Sequence, residues 1–176
     1  MDRTLSGHGL MEGHVKRAPL VKGLGWGLIG GLAGTLAMDI LLMAVLWAVR
    51  YPTLLCFSIV GDTLARVFSM LGMEVAGGVP TGIVTHYVIG PLVGIFFGAA
   101  AAALPALREG ALKKKVIASV LYVQILSQPI LALTPILLKM TALEVLQWYC
   151  GAFAMHLVAG IVLGVVVGFG LRPAKC

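Results

Sequence analysis

Charge is scarce in this chain. Only 11% of its 176 residues are Asp, Glu, Lys or Arg, against about 25% in water-soluble domains. So few charges cannot cover the surface of a soluble fold of this size, whereas a bilayer makes such a composition sensible. Cysteine is scarce too. Cys56, Cys150 and Cys176 stand in no CxxC or other ligand spacing, which argues against a disulfide framework and leaves two free thiols expected at Cys56 and Cys150. Cys176 is the final residue, so it is not the cysteine of a prenylation signal. Also missing are a P-loop, a nucleophile elbow, an HExxH helix and an EF-hand loop. An enzymatic role is therefore the least supported class.

What the chain has in abundance is apolar sequence: 60% of residues are hydrophobic and the mean hydropathy is +1.02. Four apolar runs, at about 24–49, 81–104, 116–138 and 148–171, each supply the ~20 residues that cross a bilayer core as a helix. The expected fold is an all-α integral membrane protein with four transmembrane helices over residues 23–172. Residues 1–22 read as a flexible cytoplasmic tail and 173–176 as a cytoplasmic C-terminus. The apolar stretch after the tail is too long for a signal-peptide core and ends in no small-residue cleavage site.

The net charge of +6 does not point to nucleic acid, because the basic residues flank the apolar runs in short clusters. Arg3, Lys16, Arg17, Lys22, Arg108, Lys113, Lys114, Lys115, Arg172 and Lys175 share one side of a four-span topology, while only Arg50, Arg66 and Lys139 fall on the other. The positive-inside rule makes the first side cytoplasmic. Between the first two spans, Phe57, Val60, Leu64, Val67, Phe68 and Leu71 recur at helical steps, with Ser58, Asp62, Thr63, Arg66 and Ser69 on the other face. That pattern predicts an amphipathic helix over about 55–71, lying in the outer interface or capping the bundle. Thr141 and Glu144 have the spacing of a capping box that opens the last helix.

An internal repeat stands out. His86-x3-Gly90-x3-Gly94-x3-Gly98 in the second span is matched by His156-x3-Gly160-x3-Gly164-x3-Gly168 in the fourth. The two spans run the same way, so a parallel duplication of helical hairpins is the favoured origin, with convergent packing as the alternative. Glycine every fourth residue makes a groove into which another backbone fits closely. The first span carries related stripes at Gly23, Gly27, Gly31 and at Gly30, Gly34. The third has no glycine and uses Ser119, Gln124, Ser127, Gln128 and Thr134, with Pro129 and Pro135 expected to kink it and free carbonyls.

Asp39, His86 and His156 are ionisable residues inside apolar spans. Their positions put them ~15, ~7 and ~12 Å below the outer interface at 1.5 Å per residue. Such residues cost free energy in lipid and should turn inward and find partners. Three readings stay open for them: a structural hydrogen-bond cluster, a haem b or metal site using His86 and His156, and proton or solute translocation using Asp39 with the histidines. The haem reading meets an obstacle. If the two glycine stripes pack against each other, the helices lie closer than 8–10 Å, and no macrocycle fits between them. Haem requires the stripes to face the first and third spans instead.

The run Gly31-Leu-Ala-Gly-Thr-Leu-Ala-Met-Asp39, the segment Gly61-Asp62-Thr-Leu-Ala65, and the segments from His86 to Gly90 and from His156 to Gly160 resemble a family of small four-helix prokaryotic inner-membrane proteins, the YagU-like proteins. The resemblance covers about residues 24–171 in order and departs from the pattern after Pro129, where a glycine is expected. It implies a four-span fold and weight on Asp39, His86 and His156, and it brings no reaction. Three functions follow as expectations. The first is a non-catalytic accessory or scaffold subunit, packing against other membrane subunits or its own copies through glycine faces. The second is a haem- or metal-binding redox module, and the third a small proton-coupled transporter.

Overall fold

The computed structural model describes the backbone of residues 8–172 and the side chains of 19–172. Among the described residues there are six helices and no strand: α1 (His8–Ala48), α2 (Leu55–Met70), α3 (Gly78–Ala103), α4 (Pro105–Arg108), α5 (Leu112–Leu138) and α6 (Ala142–Gly170). Four stretches are long and apolar enough to cross a membrane: Pro19–Ala48, Gly78–Ala103, Leu112–Leu138 and Ala142–Gly170. Helix α1 begins at His8, so residues 8–22 are helical, while 1–7 and 173–176 lie outside the described residues.

Local chemistry explains the helix ends. Thr141 and Glu144 form the expected capping box, with the Thr141 amide donating to Glu144 at 2.7 Å. It starts α6 at Ala142, one to two turns before the apolar run. Helix α3 has no cap of its own, since Gly77 stands at that position. Asp62 of α2 substitutes, accepting from the Gly78 amide at 2.7 Å. Gly78 takes a φ of +81°, a backbone that favours glycine. In α5 the missing amide of Pro135 frees the Leu131 carbonyl, and the Trp148 indole of α6 donates to it at 3.1 Å.

Helix α1 packs on α3 along one side and on α6 along another. The α1–α3 seam is a double glycine stripe. A Cβ at Gly27 would run into the Gly94 carbonyl and one at Gly94 into the Gly27 carbonyl, with Gly23–Gly98 and Gly31–Gly90 meeting above and below. On the α6 side, a Cβ at Gly34 would lie 2.9 Å from the Ala159 carbonyl, and one at Gly30 2.9 Å from Leu163. The stripe of α6 faces α5: Gly160 meets Val120, Gly164 meets Val116 and Ser119, and Gly168 meets Leu112. Phe97, Val123, Leu163 and Val167 close the core at the opposite end from α2, where Tyr122 of α5 donates to the Val93 carbonyl at 3.2 Å.

Helix α2 forms over the expected stretch and is amphipathic, but its buried face differs in part from the one expected. It runs antiparallel along the first turns of α3, with Gly61 beside Gly78 and Phe57 beside Gly82. Its inward face holds Phe57, Gly61 and Thr63, while Leu71, assigned to the apolar face, is 67% exposed. Thr63 comes from the face read as polar, yet it is 0% exposed and bonds Thr134 of α5 at 3.2 Å. Thus α2 is a wedge between α3 and α5. The reason is steric: the glycine and threonine side of α2 allows closer backbone approach than its bulky side.

Candidate functional site

The site is built where α1, α3 and the start of α2 meet. One turn beyond Gly31, Thr35 seats in the notch left by Gly90 while its hydroxyl donates to the Gly31 carbonyl at 2.9 Å. One turn further, Asp39 meets His86, with Oδ1 and Nδ1 3.0 Å apart. The carboxylate is 3% exposed and the imidazole 14%. The glycine seam brings α1 and α3 close enough for these short side chains to touch, so the stripe positions the pair. The Phe57 ring of α2 meets the imidazole edge to face, with centroids 5.1 Å apart and planes at 65°. Asp39 Oδ2 is buried with no hydrogen-bond partner within 3.5 Å, although the Tyr87 hydroxyl on α3 bears on the same carboxylate.

His156 does not join the pair. Its Nδ1 donates to the Ala152 carbonyl of its own helix at 2.7 Å, and the stripe it heads turns toward α5. Of the expected cluster of three, Asp39 and His86 are bonded, while His156 is bonded within its own helix yet near enough to His86 for their charges to bear on each other. Gln124 and Gln128 stand elsewhere. Gln124 donates to the Phe153 carbonyl at 2.9 Å and Gln128 to the Gln124 carbonyl at 2.9 Å. With Leu131, Tyr149, Cys150 and Phe153 they line a cavity of about 380 Å³ between α5 and α6.

Sequence reasoning missed Phe57 and Cys56 as neighbours of the pair. Both belong to α2, where spacing put Phe57 on the apolar face but could not say that this first turn reaches Asp39 and His86. The Cys56 thiol is pushed up from 9.0 to about 12, first by burial and then by the negative charge of Asp39. Cys56 and Cys150 are both free thiols.

The glycine stripes face α1 and α5, so the particular obstacle foreseen for haem does not arise. The residues nevertheless do not fit a macrocycle shared by His86 and His156. His86 turns to α1 and is wedged between Asp39 and Phe57, whereas the stripe of His156 turns to α5. Neither the α5–α6 cavity nor the one lined by Asp62, Arg66 and Leu138 has a histidine in its wall. Among the described residues no group of three His, Cys, Asp or Glu side chains is placed to hold a metal ion.

The fold and site thus define an all-helical chain with four candidate membrane spans and a buried carboxylate–imidazole pair. No protein-family model, curated protein or solved structure matches it.

Proposed function

We propose that this chain is a small proton-coupled membrane transporter in which the Asp39–His86 pair carries the proton. The carrying observation is the half-satisfied carboxylate: Oδ1 is bonded to His86, while buried Oδ2 has no partner within 3.5 Å and only the Tyr87 hydroxyl bearing on the group. A buried ionised carboxylate is costly in a low-dielectric interior unless every lone pair is met. The open oxygen is therefore a seat for a proton. At 3.0 Å the proton shared by Oδ1 and Nδ1 exchanges between a neutral pair and an ion pair with little atomic movement.

The transporter sits in the inner membrane with both termini cytoplasmic, a reading supported by the basic residues gathered at one end of the spans. Kinship with the YagU-like proteins is part of the proposal. The residues that carry that resemblance meet in space, Gly31 and Asp39 against Gly90 and His86, Gly61 and Asp62 against Gly78. A parallel duplication of hairpins is supported by the two His-Gly stripes, each packing its helix on the preceding long helix. The scaffold reading draws less support, because the glycine faces reserved for partner helices are filled by the chain's own helices.

The test is proteoliposomes loaded with a pH-sensitive dye and challenged with a pH step. The wild-type chain is expected to dissipate the gradient, and Asp39→Asn to slow it to the protein-free rate while keeping its helical circular dichroism. Equal dissipation by wild type and Asp39→Asn would sink the proposal.

A further inference from the structure

At the end of the bundle away from Asp39, two cations are brought together with no acid to balance them. Lys115 lies in the first turn of α5 and is 3% exposed. Its stem runs over Gly168, whose Cβ would come within 3.6 Å of Lys115 Cδ. The glycine makes room for the methylenes, which is how a lysine becomes covered while its ammonium reaches an edge. The fully buried, unpartnered polar atoms are elsewhere, on Asp39, Ser119 and Gln124. Arg172 follows Gly168 by four residues, just past the end of α6, and its charge bears on Lys115. Its guanidinium is held 4.0 Å above the Phe169 ring.

Among the described residues no carboxylate pairs with either cation, and Glu109, the acid nearest Lys115 in sequence, is bound by Arg108 at 2.8 Å. The start of α5 adds positive potential. Ala111 offers no side-chain cap and the first turn holds no acidic residue. The Lys114 and Lys115 amides turn back to the Ala111 carbonyl, so those of Leu112 and Lys113 are left for an outside acceptor. Exposed Lys113 and Lys114 stand beside them.

A buried lysine, an arginine stacked on an aromatic ring and an open helix start at the end of a candidate span form a tetrahedral-anion site at headgroup level. We propose that the Lys115–Arg172 corner binds the phosphate group of an anionic membrane lipid. Lys115 and the free α5 amides take the phosphate oxygens and Arg172 closes over the outer edge. The lipid chains run down the apolar flank of the bundle.

The full chain in detergent, titrated with phosphatidylglycerol or with phosphatidylcholine of the same acyl chains and read by native mass spectrometry, tests this. Phosphatidylglycerol is expected to be retained preferentially. Arg172→Gln, at an exposed position, and Lys115→Met, which keeps the covered stem apolar, should each weaken that retention about five-fold, the effect of one cation at a lipid surface. Equal retention of the two lipids by wild type, or retention unchanged in both variants, would overturn the proposal. So would displacement by inorganic phosphate with no preference for phosphatidylglycerol, since that would mark a free-anion site.

Discussion

Cys56 reports on the charge of its neighbour. Its thiol is raised to about 12 by burial and by the Asp39 carboxylate, and it stands on α2, outside the four candidate spans. The folded state therefore holds the thiol proton where the unfolded chain releases it. This contribution is fully present below pH 9 and is lost as pH climbs from 9 toward 12. Over that window wild type should lose stability relative to Cys56→Ala by up to about 1.4 kcal/mol per pH unit, read from denaturant unfolding in mild detergent at pH 8 and pH 10. Identical pH dependence in the two proteins would refute this. His156 shows why single residues are hard to read: a histidine in an apolar helix needs a partner, and the carbonyl one turn back serves as well as a distant carboxylate.

Glycine stripes were legible as places of close approach, but a stripe does not say which helix fills it. Gly94 and Gly164 hold equivalent places in the repeat, yet one meets the glycines of α1 and the other Val116 and Ser119 of α5. At Gly94 the first seam is backbone on backbone, with no side chain that can yield. A Cβ at Gly94 would lie 2.6 Å from Gly31 Cα and 2.7 Å from its nitrogen. Gly94→Ala should therefore force α1 and α3 apart, at a cost of about 1–3 kcal/mol. Gly25→Ala, with nothing within 4 Å of its Cβ, should be neutral or gain up to about 1 kcal/mol from helix propensity. Unfolding of both variants in mixed micelles compares them, and equal loss of stability would contradict the seam. The capping box was legible because its residues are local. The cap on α3 was not, because Asp62 comes from another helix.

Across the whole molecule, the four long helices could be read from apolar length alone, while the burial of α2 could not. Amphipathic spacing separates core from water, but beside lipid both an apolar and a small face are acceptable inside, and closeness of packing decides. Thr63 and Thr134, both 0% exposed, tie the wedge to α5 across the bundle. A double-mutant cycle with Thr63→Val and Thr134→Val should return a coupling of about 0.5–1.5 kcal/mol. A coupling indistinguishable from zero would mean that α2 rests on α3 alone. The buried Lys115 was counted in sequence as one of many topology charges. Its distinction comes from Gly168, more than fifty residues later in the chain.

The place of α1 between α3 and α6 bears on how the chain is born. The seam with α3 can close as soon as α3 has been made, and the Asp39–His86 pair closes with it. The hydroxyl partner of Thr63 arrives only 71 residues later, and the notch at Gly30 and Gly34 waits for Leu163 and Ala159 of the last helix. A nascent chain that has yet to release α6 thus carries its earliest helix with one flank open. Something other than the protein, whether lipid or the insertion machinery, has to occupy that flank until synthesis ends.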